Sequence, residues 1–194
     1  MTVPLTRKQQ REATRGQLLD AAVECLVEHG YAGTTTQRIQ DRVNLSRGAL
    51  THHFASKADL LVAAIHRVAD QRLHQLRLAA QDIEPGPDAL PEVVAAIHTA
   101  MCGGPLLAAL ELWVSARTDP ELRAALLPPE RELGRALREV FDKATQNTDP
   151  TDTRLAFDSL LIFLRGLALT TVLRNDGRST EDLVSYWVNH MAPT

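Results

Sequence analysis

The chain has 194 residues, 44% of them hydrophobic and 23% charged, which is enough apolar material for a packed core and excludes a disordered chain. Its formal net charge of −3 argues, taken whole, against nucleic acid. The charge is uneven, however: residues 1–60 hold eight lysines and arginines against six acids, leaving 13 against 18 for the rest, a basic end on an acidic body.

In chain order, the opening "MTVPLTRKQQREATRG" lacks the apolar segment of a signal peptide. A helical stripe follows at Leu18, Leu19, Ala22, Val23, Leu26 and Val27, ended by Gly30 as a cap after His29. A second helix begins near Thr34 and Thr35, with Thr34 and Gln37 at the spacing of a capping box, and shows Ile39 and Val43 on one face. Asn44 breaks it, Leu45 points inward, and Ser46 caps a third helix running to about Phe54. Ser56 and Asp59 start a fourth, whose stripe is Leu60, Leu61, Ala64, Ile65, Val68, Leu73 and Leu76.

"EPGPDALP" at 84–91 is the clearest boundary in the chain. Five more helical patterns follow it. They cover 91–101, then 105–117, then a stretch from Asp119-Pro120 to Asn147 that Pro128-Pro129 must kink or split. Asp149-Pro150 opens a long helix to about Leu173, closed by "NDG", and Thr180, Glu181 and Asp182 open the last. Period-2 alternation is absent throughout, so the expected fold is all-α with about nine helices. The expected domains are a three-helix helix-turn-helix at 1–57 and a helical ligand-binding and dimerisation domain at 58–194.

A helix-turn-helix needs two helices fixed at a steep angle across a tight turn. Ile39, Val43, Leu45 and Leu50 are placed to share a core with the first helix, and Asn44 sits where the turn requires a left-handed backbone. The outward face of the third helix is then Arg47, Gly48, Ala49, Thr51, His52 and His53. Glycine weakens a helix, so Gly48 on an exposed face fits something approaching closely, such as base edges in a major groove. Arg47 has the reach for guanine O6/N7, and Thr51 for a thymine methyl.

The segment "RGQLLDAAVECLVEHGYAGTTTQRIQDRVNLSRGALTHHFASKADLLVAAI" resembles the DNA-binding domain of the tetracycline-repressor (TetR) family across about the first third of the chain. The resemblance rests on the first helix ending in "HGY", the "TT" before the second helix, and the run "LSRGAL..HF..K..L". Three positions depart from the family pattern: Gln40 for alanine, Asn44 for glycine, and Thr51 for a tyrosine that packs on the DNA backbone. The resemblance implies base or backbone contacts from Thr36 and Gln37 and a recognition face of Arg47, Gly48, Ala49, Thr51 and His52. It implies phosphate contacts from His53 and from Lys57 at the start of the fourth helix. Arg7, Lys8, Arg11 and Arg15 form a basic arm whose part in DNA contact the sequence leaves open.

The resemblance also implies an apolar cavity in the middle helices, for which His98, Met101, Leu110, Trp113, Phe141, Phe157 and Leu161 are the candidate lining. For any one of them taken singly, ordinary core packing is the favoured account. Helix 150–173 is apolar on more than one face and needs a second buried surface. Phe163, Leu167, Val184, Trp187 and Met191 are therefore the candidate interface of an isologous dimer. His52 and His53 are adjacent and diverge, so they make a poor metal pair, and Cys25 and Cys102 match no metal spacing; no metal or cofactor is expected. Nothing resembles a catalytic triad, a paired carboxylate or a phosphate loop, so an enzyme is the less favoured class. The apolar run at 160–173 is interrupted by Arg165 and too short to cross a bilayer, so no membrane association is expected. The expectation is a cytoplasmic, homodimeric transcriptional repressor on a double-stranded palindromic operator, released by an unidentified small-molecule effector. A constitutive DNA-binding regulator without a ligand is the alternative.

Overall fold

The computed structural model describes residues 6–81, 83–84, 89–145, 149–173 and 180–191, apart from the side chain of Arg47. Within them lie nine helices and no strand: α1 (Arg7–Gly33), α2 (Thr36–Val43), α3 (Arg47–His53), α4 (Lys57–Ala79), α5 (Ala89–Ala100), α6 (Gly104–Ser115), α7 (Pro120–Ala144), α8 (Pro150–Thr171) and α9 (Thr180–Met191). No single described helix is long and apolar enough to cross a membrane. The turns expected at Pro85–Asp88 and at "NDG", and the helix end at Asn147, lie outside the described residues.

Local chemistry sets most of the helix ends. Thr6 and Gln9 form a reciprocal capping box at the start of α1. Gly30 interrupts α1 with φ 64° and ψ −178°, so the regular helix stops after His29 and a short turn leads on to Gly33. The capping box expected at Thr34 and Gln37 is not formed. Thr34 is buried, and both its N–H and its hydroxyl donate to the Gly30 carbonyl, at 3.0 and 2.7 Å. Thr35 is the cap of α2 instead, its hydroxyl accepting from the Arg38 N–H at 3.2 Å. Asp119 accepts from the Leu122 N–H at 3.0 Å to cap α7. Asp149 accepts from the N–H groups of Thr151 and Asp152 to cap α8, with Pro150 in the first turn. Those two donors hold its carboxyl below the usual range.

α7 is not split at Pro128-Pro129 and carries on helical through both. The prolines withdraw two N–H groups from the ladder, leaving the carbonyls of Ala124 and Ala125 without them. Ala124 is exposed and Ala125 half-buried, so water can serve those oxygens.

The chain forms two compact units. Residues 1–68 and 108–129 make the first, with a core of Leu18, Leu26, Ile39, Leu60, Leu61, Leu112 and Leu122, each under 2% exposed. Residues 69–107 and 130–194 make the second, around Val94, Ile97, Leu137, Phe141, Leu160 and Leu164. This partition differs from the one at residue 57 expected from the sequence, because part of α6 and the first turns of α7 pack into the N-terminal core.

Candidate nucleic-acid interface

The turn between α2 and α3 is built as its residues dictate. Asn44 is left-handed at φ 53° and ψ 44°, the lone non-glycine residue with positive φ among those described. The Leu45 N–H donates back to the Gln40 carbonyl at 3.1 Å, and the Ser46 hydroxyl accepts from the Ala49 N–H at 3.3 Å to start α3. Ile39 and Leu50 are buried, Val43 and Leu45 half-buried against the same core. The inner side being thus fixed, α3 turns Gly48, Thr51 and His52 to solvent, with Ala49 and His53 half-buried beside them and Arg47 opening the helix. Thr36 opens α2, where Gln37 is exposed and its amide donates to Asp41 at 2.7 Å.

Nothing in the chain itself asks for glycine at position 48. A Cβ there would meet only the Ser46 hydroxyl oxygen, at 4.0 Å. Gly48→Ala is therefore expected to raise folding stability, by about 1 kcal/mol from helix propensity. It is expected to lower duplex affinity in the same protein, because the methyl is added to the outward face of α3. Thermal melts and binding titrations moving in opposite directions would establish this; affinity rising with stability would refute it.

A basic flank lies beside the exposed face. The Arg15 guanidinium stands over the Phe54 ring at 5.1 Å, which brings part of the N-terminal arm to the end of α3. Burial pushes the His53 imidazole below its ordinary value of 6.5, and the positive fields of His52, Arg11 and Arg15 add to this. His53 thus lies within the field of Arg11 and Arg15, and a phosphate seated there would favour its protonation. Duplex affinity is expected to rise as pH falls from about 8 toward 6, and His53→Gln to flatten that rise. Stability runs the other way. A depressed folded pKa means that the unfolded chain binds more protons, so His53's contribution is present above 6.5 and lost as pH falls below it.

Lys57 is placed unlike a side chain reaching into solvent. Its ammonium donates to the Tyr31 carbonyl at 3.0 Å and stands 4.5 Å from the centre of the Tyr31 ring, and burial pushes its pKa down. The Tyr31 turn is in turn held by Glu111 of α6, whose carboxylate accepts from the Tyr31 N–H at 2.6 Å. Burial, then the Asp119 charge and a hydrogen bond with Asp119, push the Tyr31 phenol up. Glu111 escaped the sequence reading. Its one signal is that it is the single acid in the otherwise apolar run "PLLAALELWV".

The candidate ligand residues fall in both units. Trp113 is half-buried against the N-terminal core and Leu110 is buried on the same part of α6. Met101, Phe141, Phe157 and Leu161 belong to the second core, where the Phe141 and Phe157 rings pack 5.4 Å apart, and His98 is half-buried on α5. A groove of about 590 Å³ on the second unit is lined by other residues, including Arg77, Glu139, Asp142 and Lys143. Of the candidate dimer residues, Leu167, Val184 and Trp187 are buried within their own unit, Phe163 is half-buried and Met191 is exposed. Among the described residues no cluster of His, Cys, Asp or Glu is placed to hold a metal ion.

Residues 18–64 match the family model described as bacterial regulatory proteins of the tetR family. An uncharacterised HTH-type transcriptional regulator of Mycobacterium bovis is 30% identical over 139 residues, covering 72% of this chain and 70% of its own. The HTH-type transcriptional repressor AcnR of Corynebacterium diphtheriae is 32% identical over 142 residues, covering 71% and 68%. Among solved structures, a transcriptional regulator of Saccharomonospora viridis in complex with choline shares the fold at TM-score 0.76 and 16% identity, covering 94% of this chain and 99% of that one. FadR of Bacillus subtilis in complex with stearoyl-CoA does so at TM-score 0.73 and 18% identity, covering 91% and 97%.

Proposed function

The chain belongs to the TetR family of bacterial DNA-binding transcriptional regulators, and from that premise we propose that it is a homodimeric repressor that leaves a palindromic operator when a small molecule binds its helical body. Residues 1–57 supply the DNA-binding domain and 58–194 the ligand-binding and dimerisation domain. The observation that carries the DNA reading is the outward face of α3: an exposed Gly48 that its own chain does not require, beside the Arg11, Arg15 and His53 flank. Thr36, Gln37, Arg47, Ala49, Thr51 and His52 complete that face, and Lys57 contributes from the Tyr31 turn. Two such helices about 34 Å apart in a dimer read half-sites one helical turn apart. Action on chromosomal DNA makes the cytoplasm the place of work, and an enzyme is not proposed.

The ligand reading is supported by relatives of the same fold that hold choline or stearoyl-CoA. The effector must bind the DNA-incompetent state more tightly, with a coupling of about 1–3 kcal/mol typical. α4 carries the change, because it begins at Lys57 and ends among residues of the second unit. A constitutive regulator is the second reading, and what supports it is that Phe141 and Phe157, two of the candidate lining residues, are buried and pack 5.4 Å apart as ordinary core residues do.

Selection of bound sequences from random duplex DNA at near-physiological salt tests the first step. A palindrome that Arg47→Ala loses supports a dimeric sequence reader, and lack of enrichment by folded, effector-free protein overturns it. Metabolite screening against the selected duplex then separates the two readings: a compound that releases the DNA supports the first, and equal affinity of every compound for free and bound protein leaves the constitutive one.

A further inference from the structure

Gly48, Thr51 and His52 are all exposed on α3, and their spacing of i, i+3 and i+4 makes them neighbours on one side of that helix. Side chains on a helix lean toward its N-terminus, which carries those of Thr51 and His52 back toward the turn that holds Gly48. The place of the missing Cβ nevertheless stays open. Among side chains other than those of its chain neighbours, only that of Ser46 comes within 4 Å of it, the hydroxyl oxygen at 4.0 Å. Gly48 is thus the floor of a notch, with Thr51 and His52 as its wall on the C-terminal side.

The wall that Thr51 presents is an apolar one. Its hydroxyl donates to the Gly48 carbonyl at 3.1 Å. A hydroxyl has a single proton, so this bond occupies the one group of Thr51 able to donate to guanine N7 or O6 or to thymine O4. What the side chain still offers outward is a methyl group and the lone pairs of its oxygen. Branching at Cβ ties the two together: turning the hydroxyl back into the helix also fixes where the methyl stands. A long side chain at position 51 would lie across Gly48 and close the notch. Threonine is too short to do so.

One base in the major groove carries an apolar knob, thymine with its C5 methyl. We infer that the notch over Gly48, walled by Thr51 and His52, takes the 5-methyl group of a pyrimidine. The protein then selects thymine at one position of each half-site by shape and not by a donated hydrogen bond. The inference rests on the DNA reading of α3 and names the base feature which that face takes. A cytosine methylated at C5 presents the same group in the same place, so affinity responds to cytosine methylation as well. Burial of one methyl corresponds to about fourfold in affinity, and a palindrome makes the contact twice, for about fifteenfold.

Anisotropy titrations at fixed salt test this on the selected palindrome, with uracil replacing thymine at one symmetric pair of positions at a time. One pair is expected to weaken binding by about fifteenfold and the others to have little effect. At that pair, 5-methylcytosine is expected to bind better than cytosine by a similar factor. Thr51→Ser keeps the hydroxyl and removes the methyl, and Gly48→Ala fills the notch. Both variants, checked as folded by thermal melts, are expected to bind the thymine and uracil duplexes alike. Thr51→Val keeps a methyl and drops the hydroxyl, and is expected to preserve the discrimination. Uracil without effect at every position overturns the inference. So does discrimination that persists in Thr51→Ser and Gly48→Ala, or that is lost in Thr51→Val. Failure to select any palindrome overturns the DNA reading itself, which a selected palindrome indifferent to uracil leaves standing.

Discussion

Arg47→Ala is expected to abolish sequence-specific binding while leaving the fold intact. A bidentate arginine contact to guanine discriminates by about 1–3 kcal/mol, and a dimer on a palindrome makes it twice. The combined loss is about 2–6 kcal/mol, an affinity drop of about 30-fold or more. The melting temperature should hold or rise, because alanine is the better helix former and a cation in the first turn of α3 opposes the helix dipole. Competition titrations separate base reading from charge. If Arg47 reads a base, the variant loses affinity for its operator far more than for unrelated duplex. If it touches only phosphate, both fall together and the salt slope drops by about one per contact.

Gly30→Ala should be the most damaging single methyl in the N-terminal unit. At φ 64° and ψ −178° the residue occupies a region essentially reserved for glycine, a strain of about 1–3 kcal/mol for any other side chain. The added Cβ would also stand 2.7 Å from a Glu111 carboxylate oxygen. Glu111 must move, and its charge-assisted bond to the Tyr31 N–H, of the class worth about 1.5–3 kcal/mol, goes with it. The total is about 3 kcal/mol or more by thermal or urea unfolding. Glu111→Ala provides the second leg of a double-mutant cycle. If the two effects simply add, the clash with the carboxylate contributes nothing and backbone strain alone explains the glycine.

What could be read from the sequence follows from the range of the forces involved. Asn44, Ser46 and the Asp149-Pro150 pair act within three or four residues of themselves, so the turn and the start of α8 follow from composition. The Thr34–Thr35 pair offered two equivalent hydroxyls, and the choice fell to Thr35 because the Gly30 carbonyl claims Thr34 from the preceding helix. The seat of Lys57 was out of reach, since it depends on a carbonyl 26 residues earlier and on a glutamate 80 residues beyond Tyr31. The proline pair in α7 left a kink and a split both open for a related reason: a proline's cost depends on whether water reaches the carbonyls it abandons, and exposure is a property of the fold.

The interleaving of the two units bears on how such a protein is cut and recombined. Leu112 and Leu122, both fully buried, stand in the core beneath α1, α2 and α4, yet they are encoded some fifty residues after that segment ends. A fragment ending at residue 68 would leave a hole where Ala108, Leu112, Ala116, Leu122 and Leu126 belong. One buried leucine lost in this way costs about 2–5 kcal/mol, and a domain's whole stability is about 5–15. Such a fragment should therefore be molten by near-ultraviolet dichroism. A chimera made by grafting a foreign reading head at residue 57 should fold only if the graft fits the surface of residues 108–129, or brings its own version of them. The place where the chain can be spliced is set by that shared interior and not by the boundary written in prolines and glycines.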